Sequence, residues 1–131
     1  MALIATATLD SKAGYAQTIE AGEHRLTADE SEAAGGTNTG PAPYALLLAS
    51  LGACTSITLR MYADRKSWAL GEIHVSLRHR KTPEGADQIE REIRFGAPLT
   101  EEQRTRLGEI ADKTPVTKTI RAGATIETRL V

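Results

Sequence analysis

Apolar and polar positions change rhythm along the chain, and each change predicts an element. The stretches "LIATATLD", "YAQTIE" and "HRLTADE" are short, rich in Thr, Ile and Ala, and separated by "SKAG" and "AGE". Strand-forming residues between turn formers predict a small antiparallel meander. Residues 30–43, "ESEAAGGTNTGPAP", sustain neither the strand nor the helix period and predict a loop. Residues 44–66, "YALLLASLGACTSITLRMYADRK", are apolar on nearly every face and predict one long helix.

"EIHVSLRHRK" and "QIEREIRF" alternate strictly and predict a hairpin. A register that sets Val75 against Phe95 and Leu77 against Ile93 gathers the apolar side chains on one face. It brings Arg80 to Glu90 and Arg78 to Glu92 on the other. Opposed charges of this kind contribute about 0.2–1 kcal/mol each, and a one-residue slip would send the apolar set into water. The basic run "RHRK" is thereby expected to be a solvated face with acidic partners. In "LTEEQRTRLGEIADK", Thr100 followed three residues later by Gln103 has capping-box spacing and starts a second helix. Its apolar face, Leu107, Ile110 and Ala111, continues to Thr114, which should point inward just before Pro115. A last strand is expected to close the chain.

Length and composition narrow the classes of function. A chain of 131 residues has the size of a single domain, taken here as residues 1–131. Sixteen Lys and Arg against 17 Asp and Glu give no field to attract nucleic acid or an anionic membrane. Arg60, Asp64, Arg65 and Lys66 close the one long apolar stretch, so no membrane span is expected. The N-terminus lacks the pattern of a signal peptide, and one cysteine, Cys54, cannot form an internal disulfide; a cytoplasmic location with a reduced thiol is expected. The glycine-rich loop is followed by no Gly-Lys-Ser/Thr, so no nucleotide site is expected. His74 and His79 fall on opposite strand faces and His24 is isolated, so neither a metal nor another cofactor is expected.

Cys54 is the one candidate nucleophile. Its helical neighbours, Leu47, Ser50, Leu51, Ile57, Thr58 and Met61, form a mostly apolar stripe without a charge. Arg60 points away from that stripe, and Cys54 lies too far along the helix for the N-terminal dipole to act. The helix alone predicts an inert thiol; a reactive one needs a positive group from another element or another subunit.

The run "GGTNTGPAPYALLLASLGACTSITLRMYADRKSW", followed by "EIADKTPVTKTI", resembles the family of osmotically inducible protein C and organic hydroperoxide resistance proteins, OsmC/Ohr, in its OsmC-like branch. The resemblance covers essentially the whole chain. It implies an α+β fold with antiparallel sheets and a long central helix, in an interlocked homodimer with two sites at the interface. It also implies that a cysteine at the position of Cys54 attacks a hydroperoxide and that a second cysteine resolves the product. An arginine and a glutamate hold the thiolate.

This chain departs from that pattern. The usual Cys-Pro-Val-His is Thr114, Pro115, Val116, Thr117 here, and Tyr44 and Ala45 stand where relatives carry the glutamate. Arg25, in "EHRLTADE", is the candidate arginine. Two functions follow as expectations. One is a single-cysteine organic hydroperoxide reductase of the oxidative stress response, regenerated by an external thiol. The alternative is a non-catalytic protein that binds an apolar small molecule in the interface pocket.

Overall fold

The computed structural model describes residues 1–131, which pack as two compact units, Met1–Leu47 and Leu48–Val131. The first unit is built on the expected meander. Strands β1 (Ala7–Asp10), β2 (Gln17–Ala21) and β3 (His24–Ala28) form an antiparallel sheet in that order. Gly22, at φ 60°, supplies the left-handed residue that the two-residue turn between β2 and β3 needs.

The predicted loop after β3 contains a short 3-10 turn, Glu32–Ala34, and is organised around one carboxylate. Asp29 is buried. Its Oδ1 accepts from the Glu30 amide at 2.7 Å. Its Oδ2 accepts from the amides of Thr37 and Thr39, at 3.2 and 3.1 Å, and from their hydroxyls, at 2.6 and 2.8 Å. These donors, led by the Thr37 hydroxyl, hold the Asp29 carboxyl far below its usual range. Gly36 and Gly40 are required by close approach: a Cβ would collide with the carbonyl of Glu30 at the first and of Thr27 at the second.

The long helix α1 (Pro43–Lys66) begins in the first unit and continues through the second. There it is followed by β4 (Ile73–Lys81), β5 (Asp87–Phe95), α2 (Glu101–Ala111) and α3 (Pro115–Ala122). Leu51, Thr55, Leu59 and Ala63, spaced four apart, form its buried face. Leu59 and Ala63 enter a core with Leu70, Leu107 and Ala111, and Phe95 and Ile110 pack against it. Full burial of a leucine contributes about 2 kcal/mol. Gly52 lets the helix lie close on β4, since a Cβ there would come within 2.9 Å of Leu77 Cδ1. The predicted capping box is formed: Thr100 Oγ1 accepts from the Gln103 amide at 3.1 Å, and Gln103 Oε1 accepts from the Thr100 amide at 2.9 Å.

Three expectations are corrected. The hairpin register is displaced by two residues, with Val75 opposite Ile93, Ile73 opposite Phe95, Arg78 opposite Glu90 and Leu77 opposite Arg91. The five-residue turn sets it: the Thr82 amide donates to the Ala86 carbonyl at 2.8 Å, and the Ala86 amide donates to Thr82 Oγ1 at 3.0 Å. A two-residue shift preserves both faces, so the apolar face stays inward and Arg80 still reaches Glu90, at 3.6 Å. The last strand is replaced by α3, which starts at Pro115 in the first helical position, after which residues 124–131 form no regular element. Finally, α1 is long and apolar enough to cross a membrane by length and composition, because its charges gather in the last two turns; core helices of soluble proteins meet the same criterion.

Candidate active site

The buried face of α1 carries a polar residue, Thr55, whose hydroxyl donates to the Leu51 carbonyl at 2.7 Å. That hydroxyl also accepts from Arg91, and through Arg91 the second unit gathers its buried polar groups. On β5 the inward side chains are Ile89, Arg91, Ile93 and Phe95, so an arginine occupies the apolar half of an alternating strand. Its side chain is 12% exposed. Nη1 donates to Thr55 Oγ1 and Thr117 Oγ1, both at 2.9 Å, and Nη2 donates to the Ala111 carbonyl at 2.9 Å. The guanidinium thus ties β5 to α1, to the end of α2 and to α3.

Thr114, the expected inward residue, is fully buried at the N-cap of α3. Its hydroxyl shares a 2.6 Å hydrogen bond with that of Thr117. The two threonines at the degenerate family positions therefore form one hydroxyl pair beside Arg91. Cys54 precedes Thr55 on α1, is half-buried, and has Sγ 4.0 Å from Thr58 Oγ1. Burial lowers the pKa of Arg91, Asp112 raises it, Arg121 lowers it and the Cys54 thiolate raises it, in that order of size. Arg91 is hydrogen-bonded to Thr55, the residue next to Cys54, and an arginine remains charged at neutral pH despite its burial.

The remaining candidates lie in the first unit. Arg25 is exposed on β3, where Nη2 pairs with Glu20 Oε1 at 2.9 Å across the sheet. Tyr44 and Ala45 are exposed in the first turn of α1. No three His, Cys, Asp or Glu side chains come together as a metal site. Arg91 escaped the sequence reading, although an arginine among the inward residues of a strictly alternating strand is a visible signal.

The comparisons with known proteins extend this picture. A family model described as OsmC-like protein matches residues 36–129. The chain belongs to this OsmC-like family. Its fold is that of solved structures in the same group. An OsmC-like protein from Mycoplasma pneumoniae is 19% identical with a TM-score of 0.72, over 92% of this chain and 88% of that one. An organic hydroperoxide resistance protein OsmC from Legionella pneumophila is 17% identical with a TM-score of 0.68, over 91% and 90%. The organic hydroperoxide resistance protein OhrB of Bacillus subtilis is 23% identical with a TM-score of 0.62, over 91% of each chain. No curated protein matches this chain. The OsmC-like fold thus comes with threonines at positions 114 and 117 and a buried arginine at 91.

Proposed function

We propose that this OsmC-like protein is a single-cysteine, thiol-dependent organic hydroperoxide reductase acting in the cytoplasm in the oxidative stress response. The observation that carries the proposal is the guanidinium of Arg91, 12% exposed, which donates to the hydroxyl of Thr55, the residue that follows Cys54 on α1. It brings to the neighbourhood of Cys54 the positive charge that the helix lacks. The Cys54 thiolate attacks the peroxide oxygen, the O–O bond breaks, the alcohol leaves after taking up a proton, and Cys54 becomes a sulfenic acid. One external thiol converts this to a mixed disulfide with loss of water, and a second releases the Cys54 thiol and an external disulfide. Thr114 and Thr117 carry no thiol, so no intramolecular disulfide forms. Arg25 is retained as a second proposed thiolate partner.

We also propose that the working form is a homodimer. Leu47, Ile57 and Met61, which share a stripe with Cys54, are 37%, 55% and 57% exposed, and Ile126 and Leu130 are exposed beyond α3. A second copy that covers this stripe would enclose the thiol. Sedimentation at micromolar concentration should give a dimer; a compact folded monomer would contradict it.

A pocket of about 600 Å³ with Leu51, Ile89 and Ile120 in its walls favours a second reading, non-catalytic binding of an apolar small molecule. Rapid mixing with cumene hydroperoxide followed by intact-mass measurement separates the two. Catalysis predicts stoichiometric addition of one oxygen to the native chain, none to Cys54→Ser, and reversal by dithiothreitol. A native thiol unchanged by a stoichiometric pulse would leave the binding reading alone.

A further inference from the structure

The pocket in the second unit is lined by both apolar and charged side chains, and its charges do not balance. Asp112 Oδ1 lies 3.6 Å from Arg91 Nη2 and 3.2 Å from Arg121 Nη2, so one carboxylate oxygen serves two guanidiniums. Arg121 Nη1 also donates to the Asp112 carbonyl at 2.9 Å, which fixes the second cation to the same point. The other carboxylate in the lining, Asp87, is already matched. It pairs with Lys81 Nζ at 2.9 Å and with His79 Nε2 at 2.8 Å, and these partners hold it below its ordinary range, Lys81 more than His79. Among the side chains that line the pocket, and with Cys54 as the neutral thiol, one positive charge is therefore left without a counter-ion.

A donor is left over as well. The Nη atoms of Arg91 hold Thr55, Thr117 and the Ala111 carbonyl, while its Nε–H has no acceptor in the chain. No sealed side-chain nitrogen or oxygen lacks a partner, so this Nε–H is open to solvent. Leu51, Ile89 and Ile120 complete the lining with apolar surface. A single surplus charge, unused guanidinium donors and an apolar wall select for a monoanion with an apolar body.

We propose that this pocket binds a monocarboxylate with a compact aliphatic or aromatic body, its carboxylate held by Arg91 and Arg121 and its body against Leu51, Ile89 and Ile120. Cys54 is not in the lining, so the site does not depend on a reactive thiol. It goes beyond the second reading above by naming the charge of the ligand and the residues that hold it.

The test is calorimetric titration of the Cys54→Ser protein, in which no thiol chemistry occurs, with octanoate and with octan-1-ol, which has the same body and no charge. Octanoate should bind one per chain, about tenfold or more tighter than the alcohol, and less tightly as salt rises. Arg91→Met should abolish octanoate binding, and Arg121→Met should weaken it about fivefold. Arg121 is 61% exposed on its side chain and touches only Asp112, so its removal leaves the fold intact and decides the matter if Arg91→Met fails to fold. Equal affinity for octanoate and octan-1-ol, no binding of octanoate, or octanoate affinity unchanged in folded Arg121→Met would each overturn the proposal. Loss of peroxide reactivity in the native protein would leave it standing.

Discussion

Asp29, buried, and Arg91, largely buried, are both charges held by threonine hydroxyls, and they differ in what remains of each once its partners are counted. Asp29 accepts from three backbone amides and two hydroxyls within a stretch of eleven residues, Asp29 to Thr39. Local donors therefore stabilise the anion with no cation among them. Arg91 gathers its partners from three helices, Thr55 on α1, the Ala111 carbonyl at the end of α2, and Thr117 on α3. It keeps an open donor and a carboxylate shared with Arg121, and it binds Thr55, the residue next to Cys54. The first charge organises a loop. The second holds the frame of the candidate site and retains chemistry to spare.

That contrast can be broken by substitution, and the largest effect is expected at Asp29. Asp29→Ala removes the acceptor of five hydrogen bonds and should lower the thermal midpoint by about 10 °C. Because folding lowers the pKa of Asp29, its contribution is complete above the unfolded value of about 3.9 and is lost as pH falls below it. Stability measured from pH 5 to 2 should fall more steeply in the native protein than in Asp29→Asn. Equal slopes would remove Asp29 from its organising role.

Arg91→Met should act in the opposite sense, with a modest effect on stability and a large one on reactivity. Thr117 keeps Thr114, and Thr55 keeps the Leu51 carbonyl, so only the Ala111 carbonyl loses a strong partner, at a cost of about 1–2 kcal/mol by denaturant titration. Thr117→Val removes the hydroxyl that joins Thr114 to Arg91 and should cost about 1 kcal/mol while slowing Cys54 only slightly. Arg121→Met, at an exposed ion pair, should change stability by less than about 0.5 kcal/mol.

The sequence made the scaffold of this comparison legible and left its centre obscure. The meander, the long helix, the capping box at Thr100 and the inward direction of Thr114 follow from local chemistry that the fold does not override. The hairpin register was not legible because two registers two residues apart keep the same faces, and the hydrogen bonds of the Thr82–Ala86 turn choose between them. Helix α3 was hidden by Pro115, which ends one helix as readily as it begins the next. Residues 124–131 have the composition of a strand and no partner strand within the chain. Arg91 was hidden because strand alternation alone does not say what an inward arginine meets, and its partners Thr55, Thr117 and the Ala111 carbonyl come from elements distant in sequence.

The central claim is that Arg91 holds the charge that Cys54 needs. The rate of Cys54 alkylation by iodoacetamide at pH 7, in variants shown to be folded by circular dichroism, tests it most directly. The account predicts a rate about tenfold lower in Arg91→Met, largely restored in Arg91→Lys, and within twofold of native in Arg121→Met. A folded Arg91→Met protein that reacts at the native rate, or a slowing confined to Arg25→Met, would contradict it.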